Sequence, residues 1–397
     1  MTDRRPAIEG GTPVRERPLP YGRHSVDQAD VDAVTGVLRG DWLTTGPAVD
    51  LFEEKLREVI GAAHVVAVNS GTAALHAACA TLDLRPGDEV IVPSLTFAAS
   101  ANAVLYVGGT PVFAEIDPRT FLLDPADVAR RISERTRAIM PVHFGGLPVD
   151  VDAFDRLARP QNVVILEDAA HALGAMAGGS AVGASSELAT FSFHPVKHVT
   201  TGEGGAIATR SEERANRMRR FRNHGLDSEV RGREQRGAWG YDLLELGFNY
   251  RLSDIGAALG VSQLTRLQDG LTRRRALARM YLHGLADVRE IVPQVVADIN
   301  RHSWHIFPVL VGDGLRIDRD GFVRALRAER ILANVHYAPT HLMRLYREKL
   351  GCRPGMLPVT ERVTSRIMTL PLYPTMTDDD LASVVEAVRR IVDFYPS

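Results

Sequence analysis

The chain has 397 residues, 45% of them hydrophobic, enough for a large core and about two to three domains of ordinary size. A formal net charge of −2 offers no overall field for nucleic acid or an anionic membrane. Two cysteines in so long a chain argue against a disulfide framework, no run reaches ~18 apolar residues, and the leading MTDRRPAIEGG lacks a signal-peptide core, so a cytoplasmic protein without a membrane span is expected.

Residues 1–25 read as a polar, proline-rich arm. Ser25, with Gln28 three residues on, fits a capping box opening a helix over 27–38 that stops at Gly40. Asp41-Trp42-Leu43-Thr44-Thr45-Gly46-Pro47 is a loop whose Trp is either a packing anchor or a ligand contact, and a second helix covers 49–60. From His64 short apolar strands alternate with helical patterns. Strands are expected at 64–68, 89–93, 110–114, 137–142, 163–166, 191–193 and 206–209. Helices are expected at 72–82, 96–106, from Asp124-Pro125 onward, at 150–158 and at 211–222. This alternation predicts an α/β domain on a mostly parallel seven-stranded sheet with helices on both faces.

Residues 223–240 are rich in glycine and arginine and read as a mobile loop. The arginines between Arg214 and Arg236 are either a solvated face or contacts for an anion. One long helix is expected from Ser253 toward Leu285, bridging to a smaller α+β domain. There, strands at 304–311 and 333–336 accompany helices near 320–327, 341–349, 358–367 and 377–393. The domain bounds are 1–25 for the arm, 26–260 for the large domain, and 261–397 for the bridging helix and small domain. Cys79, in an apolar helical pattern, and Cys352 read as inert thiols.

Three segments carry chemistry. In ATFSFHPVKHVTTGEGGA, Lys197 follows an apolar strand and precedes Thr200, Thr201 and a glycine-rich turn. It is either a solvated strand-end cation or an amine in a dry pocket, where burial lowers its pKa and makes it a nucleophile toward carbonyls. Asn69-Ser70-Gly71-Thr72-Ala73 marks a strand-to-helix junction, which is an ordinary N-cap or a phosphate cradle. In VVILEDAAH, Glu167 and Asp168 end a strand and face opposite ways, so one of them points into the cleft outside the carboxyl ends of the sheet. Phosphate cradle, carboxylate and lysine together are what pyridoxal phosphate requires. Asp168 would keep the pyridine nitrogen protonated and Lys197 would hold the aldehyde and shuttle the proton. Phe97, just past another strand end, either stacks on the ring or is a core aromatic. The G-x-G at Gly202 and Gly204 has Ile207 at the third glycine position, which excludes a nicotinamide fingerprint. The 13 histidines are scattered without H-E-x-x-H or Cys-x-x-Cys, so no metal site is expected.

Collinear blocks from Tyr21 to the C-terminus resemble the DegT/DnrJ/EryC1/StrS sugar aminotransferase family of fold-type I pyridoxal-phosphate enzymes. Among them are DWLTTGP, AVNSGTAALHAA, VILEDAAHALGA, FSFHPVKHVTTGEGG, LGFNYRLSDIGAALG and LPLYPTMTDD. The resemblance implies that Lys197 is the Schiff-base lysine and that Asp168 pairs with the ring nitrogen. It also implies phosphate contacts from Gly71, Thr72 and Ser192, His171 near the ring hydroxyl, and Phe97 at the stacking position. Asn249, in GFNYR, resembles the residue that reaches the neighbouring subunit's phosphate, which implies a homodimer with composite sites. The arm-proximal block PYGRHSVDQADVDAVTGVLRGDWLTTGP, with SWHIFPV and ANVHYAPTHLMRLY, is similar to the branch that aminates C4 of UDP- or TDP-linked 4-keto-6-deoxy sugars, such as the UDP-linked altrosamine precursor of pseudaminic acid. That branch implies substrate-side roles for Tyr21, Asp41, Trp42, Leu43, Thr44, His336, Tyr337 and His341, with L-glutamate as amine donor. A C3-keto sugar or keto-cyclitol acceptor is the enzymatic alternative. A cofactor-binding regulator is the non-enzymatic one, and no DNA-binding module accompanies it. Arg15 to Arg17 add charge to the arm that the resemblance does not explain.

Overall fold

The computed structural model describes residues 5–227 and 239–396. The predicted mobile loop lies partly outside the described residues, at 228–238. The chain opens with strand β1 (Leu19–Pro20) and helices α1 (Gln28–Leu38) and α2 (Pro47–Ile60). The alternating region follows: β2 (His64–Val68), α3 (Gly71–Ala80), β3 (Glu89–Pro93), α4 (Ala98–Tyr106), β4 (Thr110–Ala114), α5 (Pro125–Arg131), β5 (Thr136–Ile139), α6 (Val151–Ala158) and β6 (Val164–Asp168). A small hairpin, β7 (Met176–Ala177) and β8 (Ser180–Ala181), precedes β9 (Leu188–Ser192), β10 (Gly205–Thr209) and α7 (Glu212–Phe221).

Seven of these strands form one sheet in the order β2-β10-β9-β6-β5-β3-β4. Only β10 runs against its neighbours; every other pair is parallel. The strands are apolar on both faces because helices cover both. On β3, Val90 and Val92 pack under α3 and α4, while Ile91 turns to the opposite core with Val128 and Phe154 of α5 and α6. The same alternation on β10 sends Ile207 one way and Ala206 and Ala208 the other, toward α2. The connectivity brings the carboxyl ends of β2, β3, β6 and β9 to one edge of the sheet, where the site is built.

The remainder comprises α8 (Asp254–Leu264), α9 (Leu267–Gly284), β11 (Ile291–Pro293), β12 (Phe307–Val311), α10 (Arg319–Ala328), β13 (Ile331–Leu332), α11 (Arg344–Leu350), α12 (Pro358–Arg366), β14 (Ile367–Leu370) and α13 (Asp378–Phe394). Strands β11, β12 and β14 make an antiparallel sheet whose core is closed by α9, α10 and α13. The arm docks on this lobe. Buried Glu329 accepts from Ala7 N and Val14 N at 2.8 and 2.7 Å, Arg390 donates to the Thr12 carbonyl, and β1 pairs with β13.

Three expectations are corrected. The cap of α1 is Asp27, boxed with Asp30, rather than Ser25 with Gln28, because the Ser25 carbonyl is taken by Gln263 Nε2 and a carboxylate is the stronger acceptor at this turn. The long helix from Ser253 is two helices. Thr265 Oγ1 bonds back to the Ser262 carbonyl and Arg266 leaves helical geometry, its guanidinium held by Asp27 and Asp30. The strand expected at 333–336 is instead β13 at Ile331–Leu332, and beyond it only Asn334 keeps a ladder contact, an isolated bridge to Thr369 of β14. The described arginines from 214 to 222 are mostly tied up within the fold: Arg214 pairs with Glu187, Arg217 with Asp83, Arg220 with Glu245, and Arg222 with Glu53.

Candidate active site

Asp168 is the last residue of β6 and is buried. Strand alternation separates it from Glu167. Glu167 turns away, accepting from Ser186 Oγ and bonding His143 Nε2, whereas Asp168 faces the cleft. Ser100 Oγ of α4 donates to Asp168 Oδ2 at 2.7 Å and Ala170 N donates to Oδ1 at 3.1 Å. These bonds fix the carboxylate plane and leave its remaining lone pairs for a ligand.

Lys197 lies in the loop between β9 and β10. A turn closes its start, with Lys197 N donating to the His194 carbonyl at 2.9 Å. The side chain is half-buried, and its Nζ lies 3.3 Å from His305 Nε2. Burial lowers the amine from 10.5 to about 8, against the upward pull of the Asp168 carboxylate and with the help of the Arg274 guanidinium. About a tenth of Lys197 is therefore free amine at pH 7, the form that attacks carbonyls, against well under a thousandth for an ordinary lysine.

Imidazoles surround that amine. The His171 and His305 rings lie 4.3 Å apart and tilted by 43°, and His171 Nε2 meets the Tyr337 hydroxyl at 3.2 Å. Burial, and then the nearby Lys197, holds His171 and His305 well below the ordinary imidazole range and brings His336 to about 4. Burial and then Arg274 do the same to His198. All four are neutral at pH 7, so they donate and accept hydrogen bonds without adding positive charge.

The phosphate-sized corner is at the start of α3. Ser70 Oγ caps Ala73 N, and the Ser70 carbonyl accepts from Ala74 N. The N–H groups of Gly71 and Thr72 are left in the first turn for an anion. Ser192 closes the corner from β9, and a Cβ on Gly71 would come within 2.9 Å of Ser192 Cβ. Gly205 is equally constrained, since a Cβ there would meet the Ser70 carbonyl oxygen at 2.4 Å. Phe97, the cap residue of α4, is 60% exposed, with its ring 5.9 Å from that of Tyr337. A large aromatic left open beside a buried carboxylate and amine suits a flat heterocycle. Anion-binding N–H groups, a lysine amine, a carboxylate and an open aromatic face together fit pyridoxal phosphate.

The substrate-side residues fall in different places. Tyr21 and His336 are ring neighbours at 5.1 Å, and Tyr337 reaches His171. His336 is steadied by Thr369 Oγ1 at 2.9 Å. His341 is buried, with Nδ1 on Ser94 Oγ at 2.7 Å and Nε2 on Glu361 at 3.2 Å, so both of its nitrogens already serve the protein. The loop carrying Asp41, Trp42, Leu43 and Thr44 is laid on the start of α8. Asp254 N donates to the Leu43 carbonyl, Thr44 bridges Ser253, and the Asp254 carboxylate accepts from Gly46 N and Ala48 N. Asn249 is exposed and bridges Asn223.

Sequence reasoning missed Ser100, His305 and Arg274. Arg274 is fully buried on α9, and its Nη1 donates to the carbonyls of Trp304, His305 and Leu372 at 3.0 to 3.1 Å. Its signal was readable: Leu271, Arg274, Leu277 and Ala278 share one helical stripe, so the arginine occupies a core position. His305 has no such local signal, because only the packing of the small lobe brings it to Lys197. Among the described residues no group of histidine, cysteine or acidic side chains is placed to hold a metal ion, and no helix is long and apolar enough to cross a membrane. Cys79 is buried and pushed up to about 12, Cys352 is buried and raised, and both are free thiols.

Residues 24–389 match the model of the DegT/DnrJ/EryC1/StrS aminotransferase family. The spore coat polysaccharide biosynthesis protein SpsC of Bacillus subtilis is 37% identical over 377 residues, 94% of this chain and 97% of SpsC. Spr1654 from Streptococcus pneumoniae, solved in PLP and PMP forms, superposes with TM-scores of 0.88 and 0.89 at 29% and 30% identity, covering 95% of this chain and 99% of that one. PseC of Helicobacter pylori, an aminotransferase involved in the biosynthesis of pseudoaminic acid, superposes with a TM-score of 0.87 at 29% identity, covering 95% of this chain and 100% of PseC. The chain belongs to the DegT/DnrJ/EryC1/StrS family of pyridoxal-phosphate-dependent sugar aminotransferases.

Proposed function

We propose that the protein transfers an amino group from L-glutamate to the C4 keto group of a UDP- or TDP-linked 4-keto-6-deoxy sugar, giving the 4-amino sugar and 2-oxoglutarate. The observation that carries the chemistry is the Lys197 amine, lowered to about 8 and set among neutral imidazoles near Asp168. Pyridoxal phosphate, when bound, supplies an electron sink for a carbanion at the amine-bearing carbon. Asp168 holds a proton on the pyridine nitrogen, and Ser100 keeps its carboxylate in place. Lys197 Nζ is the proton carrier. It would carry a proton from the α-carbon of glutamate to the cofactor in the first half-reaction and from the cofactor to C4 of the sugar in the second. Gly71, Thr72 and Ser192 bind the phosphate. Phe97 would stack on the ring, and His171, bonded to the Tyr337 hydroxyl, would lie near the ring hydroxyl. Tyr21, His336 and Tyr337 form the wall against which the sugar lies.

We also propose that the working form is a homodimer with composite sites. Asn249 is exposed in the single chain, and it follows a run in which Trp239, Tyr241, Leu243, Leu244 and Leu246 are all exposed at 58% or more. An apolar surface of that kind calls for a partner.

The test has two arms. Glutamate added to holoenzyme should convert its absorbance from the lysine-linked to the amine form, and an unchanged spectrum would remove the transaminase reading. Mass spectrometry of products from a panel of UDP- and TDP-linked 3-keto and 4-keto sugars then reads the acceptor. Borohydride should fix the cofactor on the peptide containing Lys197.

A further inference from the structure

We propose that Arg274, buried on α9 behind the cleft, is a positioning residue for Lys197: it fixes His305 beside the amine, and its unpaired charge favours the amine over the ammonium. The assignment rests on the reading of Lys197 as the cofactor-bearing amine given above.

Arg274 is 1% exposed, and no acidic side chain pairs with it among the described residues. Its hydrogen bonds go to backbone instead. Nη1 donates to the carbonyls of Trp304, His305 and Leu372 at 3.0, 3.1 and 3.1 Å, and the buried Nε has no acceptor. A charge taken out of water without a counter-ion is expensive. A neutral amide could donate to the same carbonyls at lower cost, so the packing of these segments does not by itself call for a cation. Burial pulls the guanidinium down to about 10, which still leaves it charged at neutral pH.

The bonded carbonyls belong to segments that line the cleft. His305 is held from both ends of its backbone, since its N–H donates to the Gly145 carbonyl at 2.9 Å while its own carbonyl accepts from Arg274. Its Nε2 then lies 3.3 Å from Lys197 Nζ. Leu372 N donates to the Tyr21 carbonyl at 3.0 Å, and the Tyr21 ring lies 5.1 Å from that of His336. One guanidinium therefore joins α9 to two walls of the cleft.

Lys197 meets Asp168 from β6, His171 from the turn after it, His198 from its own loop, His305 from the segment before β12, His336 from the segment after β13, and Arg274 from α9. The imidazoles are neutral at pH 7, so Asp168 and Arg274 are the charges that bias the amine, in opposite directions. A base that takes up a proton and gives it back works best with its affinity near the working pH, and the carboxylate alone would push that affinity upward.

The chain has three lysines, and exposed Lys55 and Lys349 serve as internal standards for the test. The cofactor-free full chain is labelled with trace acetic anhydride across a pH series, and each lysine peptide is read by mass spectrometry. The proteins are wild type, Arg274→Gln, Arg274→Met and Tyr281→Phe. Tyr281 donates to the Pro371 carbonyl at 2.8 Å, so its loss loosens the same face of α9 without changing a charge. The Lys197 labelling midpoint should rise by about half to one pH unit in both Arg274 variants, roughly three- to tenfold less free amine at pH 7. It should stay put in Tyr281→Phe, as should the midpoints of Lys55 and Lys349 in every protein. An unchanged or lowered Lys197 midpoint in Arg274→Gln overturns the assignment, as does an equal rise in Tyr281→Phe. Arg274→Met is read in place of Arg274→Gln if the latter does not fold by circular dichroism. Failure of both to fold also overturns it, because Arg274 would then be a structural clamp only. Borohydride fixation on holoenzyme is read separately. Its absence from Lys197 removes the cofactor-lysine reading, while the midpoints still decide what Arg274 does to the amine.

Discussion

A buried amine is a stability cost that pH should reveal. Lys197 falls from 10.5 to about 8 on folding. A lowered lysine pKa means the folded state disfavours the ammonium. The penalty is complete below pH 8 and fades as pH rises from 8 to 10.5. A shift of that size corresponds to about 3 kcal/mol at 1.36 kcal/mol per unit, and water reaching the half-buried side chain reduces it to about 2 kcal/mol. Lys197→Met keeps the stem volume and removes the charge. Cofactor-free Lys197→Met should therefore melt about 2–3 °C above cofactor-free wild type at pH 6.5, at ~1.2 °C per kcal/mol for a chain of 397 residues. At pH 10 the gap should close to about 1 °C or less. Scanning calorimetry at matched protein concentration measures both, because an associating protein's melting point depends on concentration. An equal gap at the two pH values, or a more stable wild type at pH 6.5, would refute the claim that Lys197 is desolvated.

Asp168→Asn should keep the circular dichroism spectrum and lose roughly 10²-fold or more in turnover, because the ring nitrogen no longer keeps its proton; a wild-type rate contradicts the assignment. Gly71→Ala places a Cβ 2.9 Å from Ser192 Cβ, so equilibrium dialysis should show cofactor affinity down about tenfold, and unchanged affinity would move the phosphate elsewhere. Phe97→Ala removes an open aromatic face, giving about a three- to tenfold loss of cofactor affinity from ~0.5–1.5 kcal/mol of stacking, while the cofactor-free melting point stays put. Glu329→Gln weakens the charged acceptor of two arm N–H groups, each hydrogen bond being worth about 1.5–3 kcal/mol. Limited proteolysis should then cut within the first 20 residues faster than in wild type, and equal cutting rates would mean the arm is held by other contacts.

Period and punctuation settled much of this protein from the sequence alone. Apolar runs such as HVVAV and EVIVP can only be strands buried on both faces, and their alternation with capped helices dictates a parallel sheet. Asp168 and Lys197 could be singled out as candidates because Asp168 ends β6 and Lys197 lies in the loop that follows β9, where side chains meet a cleft. Local signals failed where a distant partner decides. Ser25 lost the cap of α1 once Gln263, far along the chain, claimed its carbonyl. The helix from Ser253 broke where Arg266 found Asp27 and Asp30. Glu167 and Asp168 read alike in sequence, and only the neighbours, His143 and Ser186 against Ser100, say which of them faces the cleft. His305 reaches Lys197 through the packing of a lobe more than a hundred residues away. Such contacts join side chains whose spacing along the chain has no period, so burial and hydrogen bonding in three dimensions decide them.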